Sequence, residues 1–286
     1  MRHLTRRDFF RTSLAGTALA GAGGVTAWGQ RRSHSDWVAL GNSGVKVTRL
    51  AFGTGTFNGQ VQRDLGQDGF TRLVRHAYDR GVRTFDTAES YPEMAQMLGT
   101  ALKGIPRDTY RLMTKYELYG SSDWRARVDR FRSDFNSEYI DILLLHCVQR
   151  PTWPDDTKAL QDAFSDLKAK KVILAHGASV HGLQGLSKFA GNKWVDVALM
   201  RINHSGARMD GDVNQVAEHA KTIHAQGTGV LGMKLIGEGS FLKPEQREAA
   251  MQFVMKLGAV DAVNIGYKSP AEIDEAIERM SRALNG

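Results

Sequence analysis

Cysteine is nearly absent: Cys147 stands alone among 286 residues. No internal disulfide and no cysteine-based zinc site can form. Long apolar runs are missing too. The one extended uncharged stretch lies within the first thirty residues, which excludes a multi-span membrane protein. Apolar residues themselves are plentiful, at 42% of the chain. That excludes disorder and suffices for one large core or two small ones. The folded part also lacks an excess of one charge sign, although the whole chain has a formal net charge of +7. Residues 1–32 hold Arg2, Arg6, Arg7, Arg11, Arg31 and Arg32 against the single acid Asp8, leaving 32 basic and 30 acidic residues for the remainder. Nucleic-acid binding needs a basic surface on the folded part, and the body does not offer one.

The N-terminus reads Thr5-Arg6-Arg7-Asp8-Phe9-Phe10-Arg11, followed by an uncharged Ala- and Gly-rich stretch over residues 12–30. Ala18-Leu19-Ala20 and Ala20-Gly21-Ala22 place small residues at cleavage spacing. This resembles a twin-arginine export signal. The resemblance implies a signal peptide and short linker over residues 1–32, engagement of the twin-arginine export machinery, and a periplasmic or other extracytoplasmic location. It also implies no stable membrane span after cleavage. A frayed basic tail and an uncleaved anchor are the alternatives, although the stretch is barely long enough to span and rich in glycine. No cysteine lies near the cleavage region, so a lipoprotein is excluded. A route that carries folded proteins suits a chain without disulfides, and it allows a cofactor to be loaded before export.

From about Trp37 onward, short β-branched or apolar runs alternate with longer amphipathic ones. The expected strands cover residues 47–52, 83–87, 111–115, 140–146, 172–178, 195–202, 229–233 and 262–265. Between them lie helix patterns, as in Phe70, Leu73, Val74 and Ala77 at i, i+3, i+4 and i+7. The other helices are expected over 95–102, 124–135, 157–169, 183–190, 213–226, 244–257 and 270–284, the last two opening with proline. Eight strands alternating with eight helices is the count of an α/β (β/α)8 TIM barrel. A hairpin around Asn42-Ser43-Gly44 would cap its floor. A doubly wound open sheet is the alternative. It usually has a Gly-rich first turn, and no third glycine follows Gly53-Thr54-Gly55 at that spacing. No linker, repeat or low-complexity segment interrupts the body, so residues 33–286 are expected to form a single domain.

Reactive groups of such barrels sit at the C-terminal ends of strands. The second strand ends in Asp86-Thr87-Ala88-Glu89-Ser90-Tyr91, the third in Lys115 and the fourth in His146. Each residue alone has an ordinary use: Asp86 as a helix cap, Lys115 paired with a surface acid, Tyr91 packed in a loop, His146 satisfied in the core. All four at adjacent strand ends point to one reactive mouth. His181, Arg201, His204, Arg208 and Lys234 fall near later strand ends and would make that mouth cationic, unless they are solvated loop charges. Cys147, on an apolar strand, reads as core. The spacing of the histidines matches no standard metal site.

Here the chain resembles the aldo-keto reductase family, from residue 40 to about residue 284. Leu40-Gly41-Asn42-Ser43-Gly44-Val45-Lys46-Val47 is similar to its opening hairpin, and Asp86-Thr87-Ala88 with Tyr91 to its most specific motif. Lys115 and His146 match its remaining catalytic positions, and Gly177-Ala178-Ser179 its fifth-strand motif. The resemblance implies an NAD(P)H-dependent oxidoreductase acting on a small-molecule carbonyl or alcohol. Tyr91 would be the proton donor. Lys115, held by Asp86, would lower the tyrosine pKa, and His146 would orient the carbonyl and donate to its oxygen.

The same resemblance implies cofactor contacts at Gly53, Thr54, Ser179, Met233, Lys234, Gly266, Lys268 and Ser269, with NADP or NAD as cofactor. The chain departs from the family there. Val180 and Leu199 stand where the family has Asn and Gln for the nicotinamide amide, Met233 stands for a stacking tyrosine, and Glu272 for an arginine at the 2′-phosphate. These departures keep a second reading open: an exported barrel with a degraded nicotinamide site, acting as a cofactor-independent acid–base enzyme of lyase or isomerase type, or as a ligand-binding protein.

Overall fold

The structure, a computed structural model, describes residues 31–118 and 123–286. The twin-arginine motif and the stretch after it lie outside the described residues. A short antiparallel hairpin comes first: β1 (Trp37–Ala39) pairs with β2 (Lys46–Thr48). Eight parallel strands then close into a barrel. They are β3 (Leu50–Gly53), β4 (Thr84–Asp86), β5 (Arg111–Tyr116), β6 (Ile140–Val148), β7 (Ile173–Val180), β8 (Val197–Arg201), β9 (Gly229–Met233) and β10 (Ala262–Gly266), with β10 closing onto β3. The longer helices on the outside are α2 (Gly66–Asp79), α3 (Met94–Leu102), α4 (Trp124–Asp134), α6 (Lys158–Ala169), α8 (Val213–Ala225), α9 (Pro244–Leu257) and α10 (Pro270–Asn285). Three four-residue helices join them: α1 (Gln60–Arg63), α5 (Trp153–Asp156) and α7 (Leu183–Leu186). The TIM-barrel architecture with its N-terminal hairpin is therefore the observed one.

Strand alternation sorts the apolar residues into two layers. Met113, Ile142, Leu144, Ala175, Val197, Leu199, Leu231 and Ala262 fill the barrel interior, with Leu40 and Val45 of the hairpin packed into the same cluster. Their neighbours Leu112, Leu143, Leu145, Ala198 and Val230 belong to the layer that packs with the helices. The hairpin is seated by Gly41, which bridges to Thr228. Gly41 has φ +51°, and a Cβ there would lie 2.3 Å from the Gly229 nitrogen, so this contact requires glycine.

Two expected elements differ. Residues 47–52 form parts of two strands, because the chain turns from hairpin to barrel at Arg49. The Arg49 N–H donates to the Asp36 carbonyl at 3.3 Å, and Thr48 Oγ1 donates to the Leu50 carbonyl at 2.8 Å. The helix expected over 183–190 ends at Leu186, and Gly191 just beyond has φ +77°.

Candidate active site

The interior parity that buries Met113 also points Lys115 inward, and that of Ile142 and Leu144 points His146 inward. The strand order β3-β4-β5-β6 sets Asp86, Lys115 and His146 on three adjacent strands, and Tyr91 stands on the loop between β4 and α3. All four line one cavity of about 500 Å3 at the C-terminal mouth of the barrel. At His146 the β6–β7 register shifts between Leu145 and Val148, and Cys147 takes φ +58°. A bulge of this kind re-aims a side chain at a barrel rim.

Lys115 Nζ donates to Asp86 Oδ1 at 2.5 Å and to the Thr87 carbonyl at 2.7 Å. Asn264 Nδ2, from β10, donates to the other Asp86 oxygen at 2.6 Å. Each of Asp86 and Lys115 is only 2% exposed. Burial raises the Asp86 carboxyl, while Lys115 and Asn264 pull it down. A buried pair with these extra hydrogen bonds holds its geometry, because losing either partner strands a charge in the interior.

The Tyr91 ring lies with its centroid 5.5 Å from Lys115 Nζ and packs edge-on to His146, 5.9 Å between centroids. Burial, followed by the Asp86 carboxylate, pushes the Tyr91 phenol well above its ordinary value. This corrects the expected lowering by Lys115: the ammonium is bonded to Asp86, and burial outweighs it at the phenol. Tyr91 keeps its proton and is an acid rather than a phenolate. Gly55 gives its hydroxyl room, since a Cβ there would sit 2.7 Å from Tyr91 Oη.

His146 Nδ1 lies 3.1 Å from Glu117 Oε2 and 3.2 Å from Ser90 Oγ. On its other side is His181, 6.2 Å between ring centroids. Arg201 Nη2 donates to His181 Nδ1 at 2.8 Å and pairs with Asp210 at 3.2 Å. Burial, then Arg201, depresses His181 to about 3, so the ring is neutral. Burial lifts Asp210 to about 6 against the pull of Arg201. Cys147 Sγ lies 3.2 Å from His181 Nδ1, but burial pushes the thiol up to about 11, so it is no thiolate nucleophile.

Lys234 is ion-paired with Glu238, and Arg208 lies 3.8 Å from the same residue. His204 packs on Phe241, 5.2 Å between ring centroids. The positive charge expected at the mouth from these residues is therefore reduced, because Arg201 pairs with Asp210 while Lys234 and Arg208 share Glu238.

The cavity runs on from the four residues to the ends of β9 and β10. Gly53, Ser179, Met233, Lys234, Gly266 and Lys268 line it. Ser179 Oγ accepts the Cys147 N–H at 2.9 Å. Two other cofactor candidates, Thr54 and Ser269, are not in its lining. Thr54 is fully buried and donates to the Asp86 carbonyl at 3.0 Å, and Ser269 caps α10 by accepting the Glu272 N–H at 3.4 Å. Glu272 in turn accepts from the Lys268 N–H at 2.9 Å. Val180 and Leu199 are fully buried and offer no polar group. Sequence reading missed Glu117, Gly55 and Asn264. Only their place beside strand ends could have flagged them, because their partners are remote in sequence.

Three comparisons bear on this geometry. "Probable aldo-keto reductase 1" of Glycine max is 29% identical over 148 residues, 46% of this chain and 40% of that protein. The matches to the first curated relatives span only about two fifths of those proteins' lengths. An aldo-keto reductase of Bacillus halodurans, solved in its holo form, superposes with a TM-score of 0.69 at 18% identity over 87% of this chain and 94% of its own. One of Klebsiella pneumoniae, solved in complex with NADPH, gives 0.63 at 15% over 85% and 89%. At these identities the solved structures show the shared fold. The Aldo/keto reductase family model matches residues 49–285, so the chain belongs to that family of oxidoreductases.

Proposed function

We propose that the protein is an exported NAD(P)H-dependent oxidoreductase that interconverts a small-molecule carbonyl and its alcohol, with Tyr91 as the proton donor. The observation that carries this reading is the buried Lys115–Asp86 pair beside Tyr91 and His146 at one cavity mouth. The cavity suits a dinucleotide. Glycines at 53, 55 and 266 line it and let the side chains of Asn264, Tyr91 and Thr56 pack close against the backbone; a Cβ at Gly266, for example, would lie 2.5 Å from Thr56 Oγ1. Gly53, Ser179, Met233, Lys234, Gly266 and Lys268 would hold the dinucleotide, and it would supply the hydride.

The chain's own groups do the rest. Tyr91 donates its proton to the carbonyl oxygen as negative charge develops there. Lys115 places a positive charge near that oxygen, and Asp86 with Asn264 keeps the ammonium fixed. His146 orients the carbonyl. The apolar Val180 and Leu199 remove side-chain partners for an amide, and the Glu272 carboxylate would repel a 2′-phosphate. We therefore expect weak nucleotide binding with little preference for the 2′-phosphate. The same substitutions favour the second reading, a barrel using these four residues for acid–base chemistry without nicotinamide.

Tyr91→Phe tests the role of the tyrosine, and nucleotide titration separates the two readings. Carbonyl reduction should fall by roughly 10²–10⁴-fold, while calorimetry should find NADH and NADPH binding as weakly and as evenly as to the wild type. Unchanged turnover would remove Tyr91 from the role. Tight NADPH binding with a large preference over NADH would overturn the reading of Glu272. No binding of either would move the weight to the cofactor-independent enzyme.

A further inference from the structure

The reaction proposed above uses one ring nitrogen of His146, and the other is already engaged. Nδ1 faces Glu117 Oε2 at 3.1 Å and Ser90 Oγ at 3.2 Å. The Glu117 carboxyl is held below its ordinary range, first by the hydrogen bond to His146, against burial, and further by His146 charge and by Ser90. An ionised carboxylate only accepts. Nδ1–H and the Ser90 hydroxyl therefore both donate to it. Glu117 is also aimed from behind. Its N–H donates to Glu89 Oε2 at 3.0 Å, and its carbonyl accepts from Arg127 Nη2 at 2.5 Å. Glu89 and Arg127 are themselves ion-paired, and Arg130 donates to Glu89 at 2.6 Å. The loop after β4 and helix α4 thus fix the backbone of Glu117 just past the end of β5.

We propose that Glu117 is a positioning residue that fixes the neutral His146 ring as its Nδ1–H tautomer, leaving Nε2 as a lone pair toward a bound molecule. Nε2 then becomes a donor only when the ring takes up a second proton. The other groups facing the ring are Tyr91, which keeps its proton, the neutral His181, the Cys147 thiol and the Lys115–Asp86 pair. A hydrogen bond from Nε2 to a carbonyl oxygen therefore forms only with the doubly protonated ring, and because both directions pass through one transition state, Tyr91 is the group that exchanges the proton in each. That consequence rests on the carbonyl–alcohol reading above; the tautomer does not.

Nitrogen-15 NMR of the histidine-labelled protein tests the tautomer without a substrate. His146 is assigned by the signals lost in His146→Asn, and spectra are read where the ring is neutral. The wild type should show a protonated Nδ1 and an unprotonated Nε2. In Glu117→Leu the Ser90 hydroxyl is released to donate to Nδ1, so the two shifts should exchange. Glu117→Gln should keep the wild-type pattern, since its amide oxygen still accepts. A wild-type ring protonated at Nε2, or an unchanged pattern in Glu117→Leu, would overturn the proposal. Should the leucine variant fail to fold, the wild-type spectrum alone decides.

Discussion

Single residues divide this site into groups that carry charge and groups kept neutral by burial. His181 belongs to the second kind. Its folded value of about 3 lies below the ordinary 6.5. As pH falls from 6.5 toward 3, the unfolded chain gains a proton that the folded one refuses, so stability is lost across that window. Asp210 acts the other way. It is raised from 3.8 to about 6, so the folded chain holds the extra proton and stability falls as pH rises between those values. His181→Gln should therefore flatten the acid-side loss, as read by urea midpoints between about pH 7 and about pH 4. A variant losing as much stability as the wild type over that span would refute the assignment. Asp86, Tyr91, Lys115 and His146 were legible in sequence because each ends a recognisable strand or follows one in a short motif. Glu117 and Asn264 were not. Asn264 is 178 residues from the aspartate it holds, and only closure of the barrel makes them neighbours.

At the level of elements, strands were legible where β-branched and apolar runs are continuous, as in β6, β9 and β10. The four-residue helices α1, α5 and α7 were too short for any period to register or to persist. Glycines within strands carry a packing signal that the sequence shows but cannot explain. Gly177 in β7 is such a case: a Cβ there would fall 1.9 Å from the Val197 carbonyl oxygen of β8. Gly177→Ala should push β7 and β8 apart and destabilise the barrel by roughly 1–3 kcal/mol or more. Ser179, two residues on, would move with the strand. An unchanged denaturant midpoint for this variant would mean that the strands part without strain.

For the molecule as a whole, the barrel and its hairpin floor followed from the count and rhythm of elements, whereas the balance of charge at the mouth did not. Lys234 pairs with Glu238 within the loop after β9, and Arg201 at the end of β8 with Asp210 in the loop that follows; loop conformation has no period from which the sequence could show these pairs. The export proposed above rests on Arg6 and Arg7, which lie outside the described residues. Replacing both with lysine should leave full-length protein in the cytoplasm, visible by fractionation and immunoblot. Normal delivery of that variant beyond the inner membrane would refute twin-arginine export.

The Asn264–Asp86 hydrogen bond spans the seam where β10 meets β3, and this has a meaning for synthesis. A ribosome makes Asp86 and Lys115 long before it makes Asn264. Until β10 emerges, the barrel has an open edge and the aspartate lacks its second donor. The reactive centre is thus completed only when the closing strand is made. A polypeptide released short of residue 262 has no closing strand and an unsealed interior, and it presents itself to proteases as incomplete.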